Sequence, residues 1–139
     1  MASGFLASVR VEKGDADRAI PLLEPALDEL ARAPFAYCSG LFTACLAQAH
    51  LLGLRTQRAR ALAARAVQLT TEAKTVQGIG EAERVARHIA LVERDLPGAQ
   101  RHLNDVLTAF AASQACLGVA PARGLTSPNW RWPAASRQT

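Results

Sequence analysis

Aromatic residues are scarce in this sequence. Four Phe, two Trp and one Tyr make up 5% of 139 residues. β-Branched residues are also few, which removes the usual material of a sheet and leaves helix as the expectation. Cysteine is limited to Cys38, Cys45 and Cys116. An odd count with no CxxC spacing argues against a disulfide framework or a zinc site. Cys38 and Cys45 are seven apart and share a helix face, so they read as small core residues of a reducing compartment. No apolar run approaches the roughly 18 residues that span a bilayer, so no membrane partner is expected. The opening Met1 to Arg10 has neither a basic leader nor a long apolar core of the secretory kind, and a cytoplasmic location follows as the expectation.

Chemistry-bearing patterns are missing too. Gly78-Ile79-Gly80 lacks the third glycine or the Gly-Lys that a phosphate loop needs, and reads as a turn. His50, His88 and His102 have no metal-like spacing. Glu81, Glu83 and Glu93 read as surface carboxylates of a helix. No Ser-His-Asp or Cys-His set can be placed. The expectation is no enzyme, no cofactor and no metal.

Acid is absent from the last twenty residues, which carry Arg123, Arg131 and Arg137. Of the formal charge of +4, the first 119 residues contribute only +1, from thirteen basic and twelve acidic residues. A nearly neutral body weakens a nucleic-acid reading, which asks for a basic face on the folded part.

What the sequence does contain is alanine and leucine in a repeating order. Ala59 to Val67 aligns forty residues back on Ala19 to Leu27 and forty forward on Ala99 to Leu107. The small residue recurs as Ala19, Ala59 and Ala99. Leu23, Ala63 and Leu103 follow it, then Ala26, Ala66 and Val106, then Leu27, Val67 and Leu107. An alanine at the recurrent position lets two helices cross closely while the larger residues fill the groove.

The spacing predicts helices over 2–12, from Asp15 to about Arg32, 35–52, 55–73, 81–93, and from Ala99 to about Ser113. Asp15 is placed to cap the second helix. Pro21 and Pro25 lie inside that helix, so a late start or a bend is expected there, and Ala33-Pro34 is expected to end it. Phe35 to Leu52 is apolar on most sides, as for a helix sandwiched between others. Gln77 to Gly80 and Asp95 to Gly98 are expected as turns. Leu103, Val106, Leu107 and Phe110 are expected inward. From Gly118 the prolines and the loss of period predict a flexible basic tail over 118–139, with Trp130 and Trp132 folding back on the last helix as the alternative.

The residues Leu6, Ala7, Gly14, Ala19, Leu23, Ala26 and Leu27, and again Leu46, Ala47, Ala59, Ala66 and Val67, resemble the tetratricopeptide repeat. That family has a large-small pair in its first helix and an alanine-centred second helix. The third copy departs from the pattern at Ala86-Arg87 and Ala90. The likeness covers about residues 3–113, at a period of forty where 34 is usual. It is similar to the degenerate long-period arrays of large bacterial signalling proteins that lie behind an ATPase, cyclase or DNA-binding domain. The resemblance implies an all-α, right-handed superhelix of about three hairpins over residues 1–117. It also implies a non-enzymatic protein-interaction module, a fragment or remnant of a larger regulator. Its partner would be a protein or peptide held against the first helices of the hairpins. The first helix is short and the last hairpin lacks a polar cap, so a homodimer through an open end is a second expectation.

Mapped on this chain, the family's binding side picks out Leu41, Ala44, Gln48, Leu51 and Leu52, with Glu81, Arg84 and His88. Gln48, Arg84 and His88 would be polar anchors for the partner; the plain alternative is a solvated face. A basic patch of Arg55, Arg58, Arg60 and Arg65 supports the alternative function, a nucleic-acid-associated module using the patch and the tail. Here too the plain alternative is a solvated outer face.

Overall fold

Residues 2–32 and 36–116 are described by the computed structural model. They form six α-helices and no strand: α1 (Ala2–Glu12), α2 (Ala16–Arg32), α3 (Ala36–Leu52), α4 (Thr56–Ala73), α5 (Val76–Val92) and α6 (Leu96–Cys116). The expectations for Ala33-Pro34, Phe35, the Cys116 side chain and the tail over 118–139 lie outside the described residues.

The forty-residue period is written into the backbone as well as the side chains. α1, α3 and α5 each end on a residue in the left-handed region, namely Gly14 (φ 80°), Leu54 (φ 60°) and Arg94 (φ 60°). At each end the next N–H reaches back five residues: Asp15 to Arg10 O (2.9 Å), Arg55 to His50 O (2.9 Å) and Asp95 to Ala90 O (2.8 Å). The left-handed residue itself donates three back, to Val11, Leu51 and Leu91. This pair of bonds satisfies carbonyls that a helix end leaves free. The next helix then starts at once, with Ala19, Ala59 and Ala99 donating to the carbonyls of residues 15, 55 and 95. All three alanines are buried.

α3 is the centre. It packs against α1, α2, α4 and α5. Phe42, Ala44, Ala47 and Ala49 on it are fully buried, as its all-round apolar pattern predicts. Beyond chain neighbours, the helix pairs that pack among the described residues are α1 on α3 and α3 on α5. The ring of Phe42 also meets Phe5 edge-on, with centroids 5.3 Å apart.

α3, α4 and α5 meet at Thr70, which is 1% exposed. Its hydroxyl donates to Ala66 O (2.9 Å) and so stays within its own helix. Its methyl lies between two glycines. A Cβ on Gly40 would stand 2.5 Å from Thr70 Cγ2, and one on Gly78 would stand 2.9 Å from it. Close helix approach is therefore what these glycines provide. That corrects the expected turn over Gln77 to Gly80: those residues are the first turns of α5, and the chain reverses instead at Lys74 (φ 53°).

Three further differences have physical causes. α2 begins at Ala16 and runs through Pro21 and Pro25. Both prolines are exposed. They are four apart on one face, so the carbonyls they leave unpaired face water. α6 begins at Leu96 rather than Ala99, because Asp95 Oδ1 accepts from the Gly98 N–H (3.0 Å) and caps the helix there. The corresponding Asp15 makes no such bond; its carboxylate lies 3.9 Å from Arg18 Nε. Leu103, Leu107 and Phe110, expected inward, are 37%, 60% and 48% exposed. Leu103 and Phe110 face α5 across an open cavity between the two helices, and α6 packs on α5 alone among the described helices, so this side of α6 is only partly covered.

Candidate functional site

The sequence-predicted binding residues divide between two places. Gln48, Leu51, Leu52 and His88 come together in a shallow depression of about 470 Å³ between the C-terminal ends of α3 and α5, completed by Leu54, Leu91 and Val92. Glu81 and Arg84 line a different cavity, of about 350 Å³, between α5 and α6. Ala44 is fully buried in the core, and Leu41 is packed partly against it.

The depression is built from equivalent positions of neighbouring repeats. Gln48 and His88 are forty apart, as are Leu51 and Leu91, and Leu52 and Val92. Its rim is apolar and wet: Leu52, Leu91 and Val92 are between 44% and 61% exposed, and Leu54 is 89% exposed. Gln48 Oε1 is buried and has no donor among the described residues. Burial, with Arg84 and Arg87 nearby, holds the His88 imidazole below its usual range, so it is neutral at pH 7. Leu54, Leu91 and Val92 were missed in the sequence. The signal for the last two was available, since the period carries Leu51-Leu52 onto Leu91-Val92.

Arg84 is not a free anchor. Its guanidinium is paired with Glu81 on its own helix and reaches Glu12 at the end of α1 (3.2 Å). The hydrogen bond to Glu81 holds it still more firmly protonated.

The four arginines of the basic patch do not make one surface charge. Arg58 lies 3.6 Å from Glu24 of α2, and Arg60 is paired with Glu93 on the other side, at the end of α5. Arg65 donates to Gln68 (3.1 Å), and Arg55 is exposed beside the turn at Gly53.

The sequence placed Glu83 on the surface and gave His102 no metal-like spacing to another ligand. Both statements are corrected. Glu83 is 5% exposed, and its Oε2 lies 2.5 Å from His102 Nδ1. Burial pushes the Glu83 carboxyl up, and the bond to His102 partly opposes this. Asp105, one turn beyond His102 on α6, completes a group whose donor atoms all lie within 4.8 Å of one another. The signal was again the period: Glu83 occupies the repeat position of Thr43, which is 5% exposed, and His102 that of Leu62.

Cys38 is buried, as expected, and Cys45 is half-buried with Sγ 3.3 Å from Ser8 Oγ. Burial raises the Cys45 thiol, so it is not a reactive thiolate. No described helix is long and apolar enough to cross a membrane. The chain matches no protein-family model, no curated protein and no solved structure.

Proposed function

We propose that this chain is a non-enzymatic protein-interaction module, a right-handed α-α superhelix of the tetratricopeptide type. It takes a peptide segment of a partner protein into the depression between α3 and α5. The observation that carries the reading is the rim of that depression: Leu52, Leu54, Leu91 and Val92 leave 44% to 89% of their surface in water around Gln48 and His88. An exposed cluster of apolar side chains beside polar groups marks an interaction site. Leu54 adds weight. It keeps an exposed leucine in a backbone conformation that disfavours side chains, where glycine would cost less. The pairing of each helix with its chain neighbours, and of α1, α3 and α5 in sequence, supports a stacked array. The apolar ends, with Phe5, Leu6 and Val9 half exposed on α1 and Leu107 and Phe110 on α6, support stacking on a second copy or on further repeats of a larger regulator.

The test is a selection of displayed peptides on the folded protein. Enriched peptides are expected to carry apolar anchors. Leu52→Asp or Leu91→Asp is expected to weaken them about thirtyfold, the equivalent of roughly 2 kcal/mol for a central contact. Gln48→Ala with His88→Ala is expected to weaken them less. Peptides that bind the Leu52→Asp/Leu91→Asp protein as well as the parent would refute the assignment of this surface.

A further inference from the structure

We propose that Glu83, His102 and Asp105 bind a divalent transition-metal ion of the zinc class, at the edge of the cavity between α5 and α6. An imidazole and two carboxylates from two helices are the donor set that such ions take, whereas magnesium and calcium prefer oxygen alone. The three donor groups already lie within 4.8 Å of one another. Two donors sharing one ion sit at most about 4.2 Å apart, twice a bond of about 2.1 Å. In a tetrahedral site the donors stand about 3.4 Å apart, so Asp105 must move in by up to about 1.4 Å while Glu83 Oε2 and His102 Nδ1 spread from 2.5 Å. Asp105 is exposed and free to make that movement.

The internal repeat supplies an independent reason to see a ligand site here. Position 102 is Leu22 in the first repeat and Leu62 in the second, both packed against core clusters. Position 83 is Ser3 and Thr43 in those repeats. The first two repeats thus hold a core-packed leucine at one position and a small polar residue at the other. Only the third repeat replaces the pair by an imidazole and a carboxylate, and burying that carboxylate is costly unless something compensates it.

The protein itself compensates little. Among the described residues, His102 is the only hydrogen-bond partner of Glu83. Arg84 is engaged with Glu81 and Glu12. Arg87 lines the same cavity but makes no bond to Glu83, and its Nε is buried without a partner. Two carboxylates and a neutral imidazole carry a charge of −2, which a dication cancels.

Titration calorimetry of the metal-free protein with zinc chloride, and with cobalt chloride as a spectroscopic probe, tests this. One ion per chain is expected, tighter for zinc than for magnesium by several orders of magnitude, with visible cobalt absorption. Asp105→Asn, at an exposed position, is expected to weaken binding at least about tenfold. The double variant Glu83→Thr/His102→Leu rebuilds the pair of the second repeat. It is expected to melt no lower than the parent and to bind no zinc at this site. Zinc binding that is absent in the parent, or unchanged in both variants, overturns the proposal.

Discussion

The turn at Leu54 offers a direct test of how the repeat is built. Three equivalent helix ends hold Gly14, Leu54 and Arg94 at φ of 80°, 60° and 60°. Only the first has the residue that this conformation suits. A left-handed L-residue costs about 1–2 kcal/mol, and glycine's extra freedom in the unfolded chain takes back about 0.5–1 kcal/mol. Leu54 is 89% exposed, so its removal forfeits almost no buried surface. Leu54→Gly is therefore expected to stabilise the fold by about 0.5–1 kcal/mol, a rise of roughly 2–5 °C in the melting midpoint for a chain of this size. Arg94→Gly is expected to act in the same direction. Gly14→Ala is the mirror experiment. A Cβ there meets nothing within 4 Å, so its whole effect, a loss of about 1 kcal/mol, is conformational. Thermal and urea unfolding followed by circular dichroism would measure all three. If Leu54→Gly lowers the midpoint, strain at this turn is not what distinguishes the three ends. If Leu54→Gly stabilises the chain and also weakens its selected peptides, the leucine is retained for binding at the expense of stability.

Gly40→Ala is expected to destabilise by about 1–2 kcal/mol despite the better helix propensity of alanine, because its Cβ would stand 2.5 Å from the Thr70 methyl. Thr70→Ser, which removes that methyl, is expected to recover most of the loss, and additive effects in the double variant would contradict the contact. Stability is also expected to fall on acidification below about pH 6.5. His50 is 3% exposed with neither ring nitrogen bonded, and burial, with Arg55 and Arg58 outweighing Glu24, lowers its pKa. The unfolded chain then binds the proton more readily, so stability rises with pH between the lowered value and the ordinary one. Midpoints measured from pH 5 to 8 should show that slope, and His50→Leu should reduce it, leaving the part that His88, also lowered, contributes. Light scattering at several concentrations should show a homodimer that Leu107→Asp with Phe110→Asp converts to a monomer. A parent protein that is monomeric throughout would remove self-association from the reading.

Much of the architecture was already written in the sequence. Alanine and leucine at helical spacing dictated six helices, and the apolar girth of Phe35 to Leu52 placed α3 at the centre. Both follow from local propensity and from the need to bury a stripe, which a chain cannot conceal. The period of forty also fixed which alanines are buried at the helix crossings. Tertiary contact decided the rest. Gly78 and Gly80 look like a turn until Thr70 of another helix stands against the first of them. Pro21 and Pro25 look like helix breakers until both face water. Leu103 and Phe110 look like core until α5 and α6 leave an open cavity between them. Glu83 looks like surface because charge is normally solvated, so His102 has no visible partner. Their pairing depends on α5 and α6 lying side by side in a fixed register, which neither helix encodes alone. The sequence by itself determined the elements and their order. The docking of those elements decided which side chains meet, because burial and pairing energies arise only between groups that the fold brings into contact.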